Sequence, residues 1–100
     1  MILVTATARL RAGAREQALA AARRMQEATA REPGCREYSF WVAIDDPDSL
    51  LLFERWDDQE SLDAHLATAH VAAFNEAISA YGDGPVTVTR FEVAGAAPPA

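Results

Sequence analysis

Cysteine is almost absent from this 100-residue chain, which has one, Cys35. A single thiol cannot close an internal disulfide, and it leaves no CxxC pair for structural zinc or thiol redox chemistry. Long apolar runs are also missing. No stretch approaches the ~20 residues a membrane span requires, and the N-terminus enters a strand-like pattern without a signal-peptide profile. The expected compartment is therefore the cytoplasm. Positive charge is scarce, with 9 basic residues against 15 acidic ones, a net charge of −6 and a pI near 4.7. Such a field repels phosphate backbones and anionic headgroups, so neither nucleic acid nor a membrane is an expected partner.

Two further absences concern prosthetic groups. The chain has no glycine-rich nucleotide loop and no pair of histidines at i, i+4 on a helix. His65 and His70 are five apart, a spacing that sets them on different faces of a continuous helix. No tightly bound metal, flavin or haem is expected.

What is present is the composition of an ordinary folded protein, 50% hydrophobic and 24% charged, at a length that suits one core. One domain over residues 1–93 is expected, with a loose tail over 94–100 that carries Gly95, Pro98 and Pro99. Residues 2–10 place Ile2, Val4, Ala6, Ala8 and Leu10 at even positions and Thr5, Thr7 and Arg9 at odd ones, which predicts a strand. Residues 14–31 are rich in strong helix formers, with Ala18, Ala21, Ala22, Met25 and Ala28 on one stripe. Pro33 and Gly34 end that helix. A second strand is predicted over 36–44 and a third over 50–56, joined by the turn-forming residues Asp45, Asp46, Pro47, Asp48 and Ser49.

Asp57 or Asp58, with Glu60 following, caps a short helix that carries Leu62, His65 and Leu66 inward. After a break near His70, a further helical stretch aligns Val71, Phe74, Ile78 and Tyr81. Gly82 to Pro85 stop it, and residues 86–93 alternate as a fourth strand. The order strand, helix, strand, strand, helix, strand is the split βαβ arrangement of a ferredoxin-like α+β fold: a four-stranded antiparallel sheet with helices on one face. Yet the strands are apolar on both sides, with Trp41, Leu51 and Phe53 opposing Tyr38, Phe40, Leu50 and Leu52. A second copy's sheet is the expected cover, which predicts a homodimer with Trp41, Leu51 and Phe53 at its interface.

Glu32-Pro33-Gly34-Cys35 followed by Tyr38, then Glu54-Arg55-Trp56 followed by Leu62, His65, Thr68, His70 and Phe74, form a specific series in order and spacing. With it the chain resembles the antibiotic-biosynthesis monooxygenase domain family, including the small quinol monooxygenases, from about residue 2 to residue 93. The resemblance implies a dimeric α+β barrel with a pocket between helices and sheet in each subunit. It also implies oxidation of a quinol or phenolic aromatic by molecular oxygen as co-substrate, with no metal, flavin or haem. A haem-degrading branch of the family uses an asparagine on the first strand, where this chain offers Thr5 and Thr7. A branch acting on phosphorylated sugars would want cations in the pocket, for which Arg90 is the strand candidate. A different class of function is a non-catalytic dimeric domain that binds a small ligand or serves assembly.

His65 is the candidate catalytic residue, because an imidazole on the inward stripe can take a phenolic proton. The alternative is a buried histidine paired with Glu54 or the backbone, holding helix to sheet. Candidate substrate-binding residues are Trp56, Tyr38, Phe74, Tyr81, His70 and Glu54. The aromatics offer stacking surfaces, although core packing explains an aromatic in a strand equally well. Glu54 shares a strand face with Trp56 and either orients His65 or pairs with an arginine. His70, near the helix break, either lines the pocket or caps. Cys35 reads as a small apolar filler.

Overall fold

The computed structural model describes residues 1–99. Strands β1 (Ile2–Arg9), β2 (Cys35–Ala43), β3 (Asp46–Trp56) and β4 (Thr87–Glu92) alternate with helices α1 (Arg15–Thr29), α2 (Gln59–Leu66) and α3 (Ala69–Tyr81). The four strands form one antiparallel sheet in the order β2-β3-β1-β4. This is the ferredoxin-like α+β architecture, with the two crossover segments laying their helices on one face.

Register decides which side chains meet on that face. Ile2 pairs with Trp56, Val4 with Glu54 and Ala6 with Leu52, while Tyr38 pairs with Glu54 and Phe40 with Leu52. Across the other edge, Val4 pairs with Arg90 and Ala6 with Val88. Since directly opposed residues share a face, the helix side carries the row Tyr38, Glu54, Val4, Arg90 beside the apolar row Phe40, Leu52, Ala6, Val88. Ile2, Val4, Tyr38, Leu52 and Trp56 join Met25 of α1, Leu62 of α2 and Val71 of α3 in one core. Small residues let α1 come close, as Ala18, Ala21 and Ala22 are buried, and the Gln26 side chain accepts a hydrogen bond from the Phe40 backbone at 2.6 Å. That bond fastens the helix to the edge strand.

The odd positions form the second face, which no helix among the described residues covers. Trp41 is 57% exposed there, and Leu51 and Phe91 are also exposed. The two-sided apolar pattern of the strands thus leaves a bare sheet face.

Several boundaries differ from the pattern-based expectation. The hairpin turns on Ile44 and Asp45 alone, because Ala43 pairs with Asp46. Residues 46–49, expected in the turn, belong to β3. The register shifts between Val42 and Ala43, so Pro47, which lacks an N–H, falls in an irregularity that tolerates it. Asp58, not Asp57, caps α2 and accepts from Ser61 N at 2.8 Å. The break between α2 and α3 comes at Ala67 and Thr68, ahead of His70. Thr29 is more deeply buried than Ala28 on α1. Residues 94–99 form no helix or strand, and Ala100, the end of the expected tail, lies outside the described residues. Among the described residues, no helix is long and apolar enough to cross a membrane.

Candidate functional site

Between the helices and the sheet lies a cavity of about 490 Å³. Its walls are largely apolar, from Val4, Ala6, Leu52, Leu62, Val71 and Phe74, among others. Its polar groups follow from the register already described: Tyr38, Glu54 and Arg90 all come from the row facing the helices, and α2 sets His65 over them. Arg90 donates to Gln59 at 2.6 Å and to Glu92 at 2.9 Å, which fixes a guanidinium at the α2 side of the cavity.

His65 is only 2% exposed. Its ring lies 4.8 Å from that of Trp56 and 5.3 Å from that of Tyr38. Its Nδ1 meets Glu32 Oε2 at 2.8 Å. A carboxylate oxygen accepts, so Nδ1 carries a hydrogen, and in the neutral imidazole the Nε2 lone pair is then free. Nε2 lies 4.0 Å from Glu54 Oε1, which itself accepts from Trp56 Nε1 at 2.9 Å. The same Glu32 oxygen meets His70 Nε2 at 2.9 Å. One carboxylate therefore bridges two imidazoles.

Glu32 reaches this position from the α1–β2 connection, where its N–H bonds Thr29 O at 2.9 Å and its carbonyl accepts from Cys35 N at 3.2 Å. Thr68 brings in His70. Its hydroxyl donates to His65 O at 2.7 Å, closing α2, and accepts from Val71 N at 3.3 Å, opening α3. The chain turns at that joint, so His65 and His70 converge, their rings 6.0 Å apart. Five-residue spacing would part them on a continuous helix, and the break between α2 and α3 removes that condition. Glu32, His65 and His70 place a ligating atom each within 4.8 Å of one another, and among the described residues they form the cluster able to hold a metal ion.

Burial dominates the electrostatics. It pushes the Glu54 carboxyl above its ordinary value, against the opposing pull of the Trp56 donor and His65. Burial, then Glu54 and Glu32, push the Tyr38 phenol far above its usual range, so this hydroxyl stays protonated as a donor. Burial, followed by the same two carboxylates, also raises the Cys35 thiol, which suits an inert filler rather than a nucleophile.

Of the residues singled out from sequence, His65, Tyr38, Phe74 and Glu54 line the cavity. Trp56 does not. It is 0% exposed, a core residue that holds Glu54 through its indole N–H and supports the His65 ring. Tyr81 sits at the end of α3, away from the cavity wall, where its carbonyl accepts from Arg11 N at 2.9 Å. His70 lies behind His65, bordering a second depression between α1 and α3. Sequence reasoning passed over Glu32 as a site residue, although it stands in the Glu-Pro-Gly-Cys motif and two inward histidines require an acceptor. Asn75 and Gln59 of the lining were also passed over.

Fold and cavity together define a small ferredoxin-like α+β domain with a largely apolar cavity beside a histidine–carboxylate cluster. The profile of the antibiotic biosynthesis monooxygenase family matches residues 1–77, and the chain belongs to that family. A crystal structure of an antibiotic biosynthesis monooxygenase is 29% identical, superposes with a TM-score of 0.88, and is matched over 95% of this chain and 100% of its own. The structure of Rv0793 from Mycobacterium tuberculosis is also 29% identical, with a TM-score of 0.89 over 97% of this chain and 98% of its own. An uncharacterized protein, sll1783, from Synechocystis sp. is 31% identical over 75 residues. That alignment takes in 75% of this chain but 51% of the relative, so the chain spans about half of its length.

Proposed function

We propose that this protein is a cofactor-independent monooxygenase that oxidises a quinol or phenolic aromatic with molecular oxygen. The observation that carries the reading is the cavity itself: about 490 Å³, within the roughly 300–1,000 Å³ typical of small-molecule sites, apolar in its walls, with a buried imidazole on its polar side. Membership of the monooxygenase family supports the reaction class.

The chemistry asks for few groups. His65 Nε2 takes the phenolic proton, while Glu32, accepting from Nδ1, holds the tautomer that leaves this lone pair free and stabilises the imidazolium that forms. The phenolate is the reductant and reacts with oxygen at a ring carbon. One oxygen atom replaces the ring hydrogen and ends as a quinone carbonyl. The other leaves as water, and the substrate supplies all four electrons. Tyr38, held neutral, donates to oxygen atoms on the substrate, and Phe74 and Leu52 exclude water from the intermediate.

A homodimer belongs to the same proposal. The bare face carrying Trp41, Leu51 and Phe91 is apolar and uncovered, and a second copy's sheet buries it as a closed barrel.

The direct test is oxygen uptake by metal-stripped protein with a panel of hydroquinones and naphthoquinols. Saturable uptake above autoxidation, with a hydroxylated or quinone product carrying one atom of labelled oxygen, is the expected result. Background rates across the panel, together with tight binding of the same compounds, would make the domain a ligand binder instead.

A further inference from the structure

We propose that Glu32, His65 and His70 form a binding site for a zinc-type divalent transition-metal ion, and that the bound ion silences the base in the cavity. Two imidazole nitrogens and one carboxylate oxygen are a donor set that zinc takes, leaving a fourth position open. Here the donors are His65 Nδ1, His70 Nε2 and Glu32 Oε2, gathered within 4.8 Å. Tetrahedral ligands about 2.0–2.2 Å from zinc stand roughly 3.4 Å from each other. The present 2.8 and 2.9 Å separations from Glu32 to the two histidines therefore require the carboxylate to draw back by about half an ångström, and the two imidazole nitrogens, the widest pair of the 4.8 Å cluster, to close by about 1.4 Å, a movement open to the partly exposed His70 at the start of α3 and to a carboxylate that starts from a loop.

A second observation points the same way. Metal-bound histidines commonly give their other ring N–H to a carboxylate, and the other nitrogen of His65 faces buried Glu54 at 4.0 Å. With the proton on Nδ1, the Nε2 lone pair faces that carboxylate, acceptor against acceptor. With a metal on Nδ1, Nε2 carries the hydrogen, and an approach of about 1 Å between the two side chains would bring it within hydrogen-bond distance of Glu54. Charge agrees as well. The chain contains no lysine, and among the described residues no arginine pairs with Glu32 or Glu54. Two carboxyl groups thus flank the histidines without a cation of their own, and a divalent ion between the imidazoles favours the ionised form of both. His70 is 31% exposed, so the ion reaches the donors from solvent without crossing the cavity.

Metal binding and proton abstraction then exclude each other. An imidazole coordinated through Nδ1 keeps its proton on Nε2 and has no lone pair for a phenol. An ion here is not a cofactor of the proposed oxidation but a ligand that stops it. The site stands without the oxygenase reading, and only the exclusion rests on it.

The test uses untagged, chelator-stripped protein without substrate. Titration with zinc by calorimetry, and with cobalt by visible absorption, should show one ion per chain and the intense bands of tetrahedral cobalt. His70→Ala and Glu32→Gln should each weaken zinc binding at least 100-fold, and Glu54→Gln about 10–100-fold, as for an outer carboxylate. Circular dichroism checks that the variants are folded, and Glu54→Gln leaves all three ligands in place. No stoichiometric binding, or zinc affinity unchanged in folded His70→Ala, overturns the site. In a second arm, zinc should suppress wild-type oxygen uptake in step with occupancy. Full uptake by zinc-saturated protein overturns the exclusion while leaving the oxygenase intact, and absent uptake in stripped protein condemns the oxygenase while the binding result still decides the site.

Discussion

Replacing His65 separates its chemistry from its structural role, because both are large enough to measure. In His65→Ala, Glu32 loses the 2.8 Å bond from Nδ1 and keeps only His70, while Trp56 and Tyr38 lose the ring they pack against. An unmade buried hydrogen bond costs about 1–3 kcal/mol. For a chain of this length each kcal/mol moves the melting temperature by roughly 4–8 °C, so a drop on the order of 10 °C is expected. General-base assistance contributes about 10²–10⁴-fold, equivalent to roughly 3–5 kcal/mol of barrier, so turnover should fall by at least 100-fold. His65→Asn divides the two effects. Its side-chain amide can still donate to Glu32 and should recover much of the melting temperature, yet it has no basic nitrogen and should stay as slow as the alanine variant. Thermal melts and oxygen uptake on the same preparations provide the assay. Turnover near wild type in folded His65→Asn would remove the imidazole from the mechanism, and so would losses in both variants that only track the folded fraction.

Three further outcomes are expected. Leu51→Arg or Trp41→Glu places charge on the bare sheet face and should convert a dimer to monomer in sedimentation equilibrium; a wild-type monomer at micromolar concentration would defeat the closed barrel. Gly34→Ala should destabilise the chain by about 1–3 kcal/mol, because Gly34 has φ +80° and an added Cβ would collide with the Ser61 side chain; a melt within a degree of wild type would contradict this. Asp46 is held below its ordinary value first by the Asp48 backbone N–H and then by Arg9. A depressed carboxyl stabilises the fold above its unfolded value of about 3.9 and loses that contribution as pH falls through the folded value. Asp46→Asn should therefore melt lower than wild type at pH 7, with the gap shrinking as pH falls below the unfolded value of about 3.9; a gap independent of pH would refute the assignment.

Local pattern carried most of the fold. Alternation at Ile2 to Leu10, the alanine stripe of α1 and the glycine and proline stops depend on side-chain period and backbone freedom alone, so element order and the ferredoxin-like arrangement were legible before any coordinates. The same period put His65 on an inward stripe and showed that the strands are apolar on both faces. What pattern could not supply was distance between segments. Glu32 lies 33 residues from His65, and nothing periodic joins a loop after α1 to a helix after β3; packing of α1 against the sheet brings the carboxylate there. Trp56 and Tyr38 look alike in a strand, but cross-strand register and helix placement bury one completely and open the other to the cavity. The five-residue spacing parts His65 and His70 only on a continuous helix; how far they converge was decided by the joint at Thr68, whose hydroxyl binds the ends of both α2 and α3. Amino-acid order determined the elements and their faces, while tertiary packing decided which polar groups meet, because hydrogen-bond partners are chosen by angstrom-scale placement that periodicity does not encode.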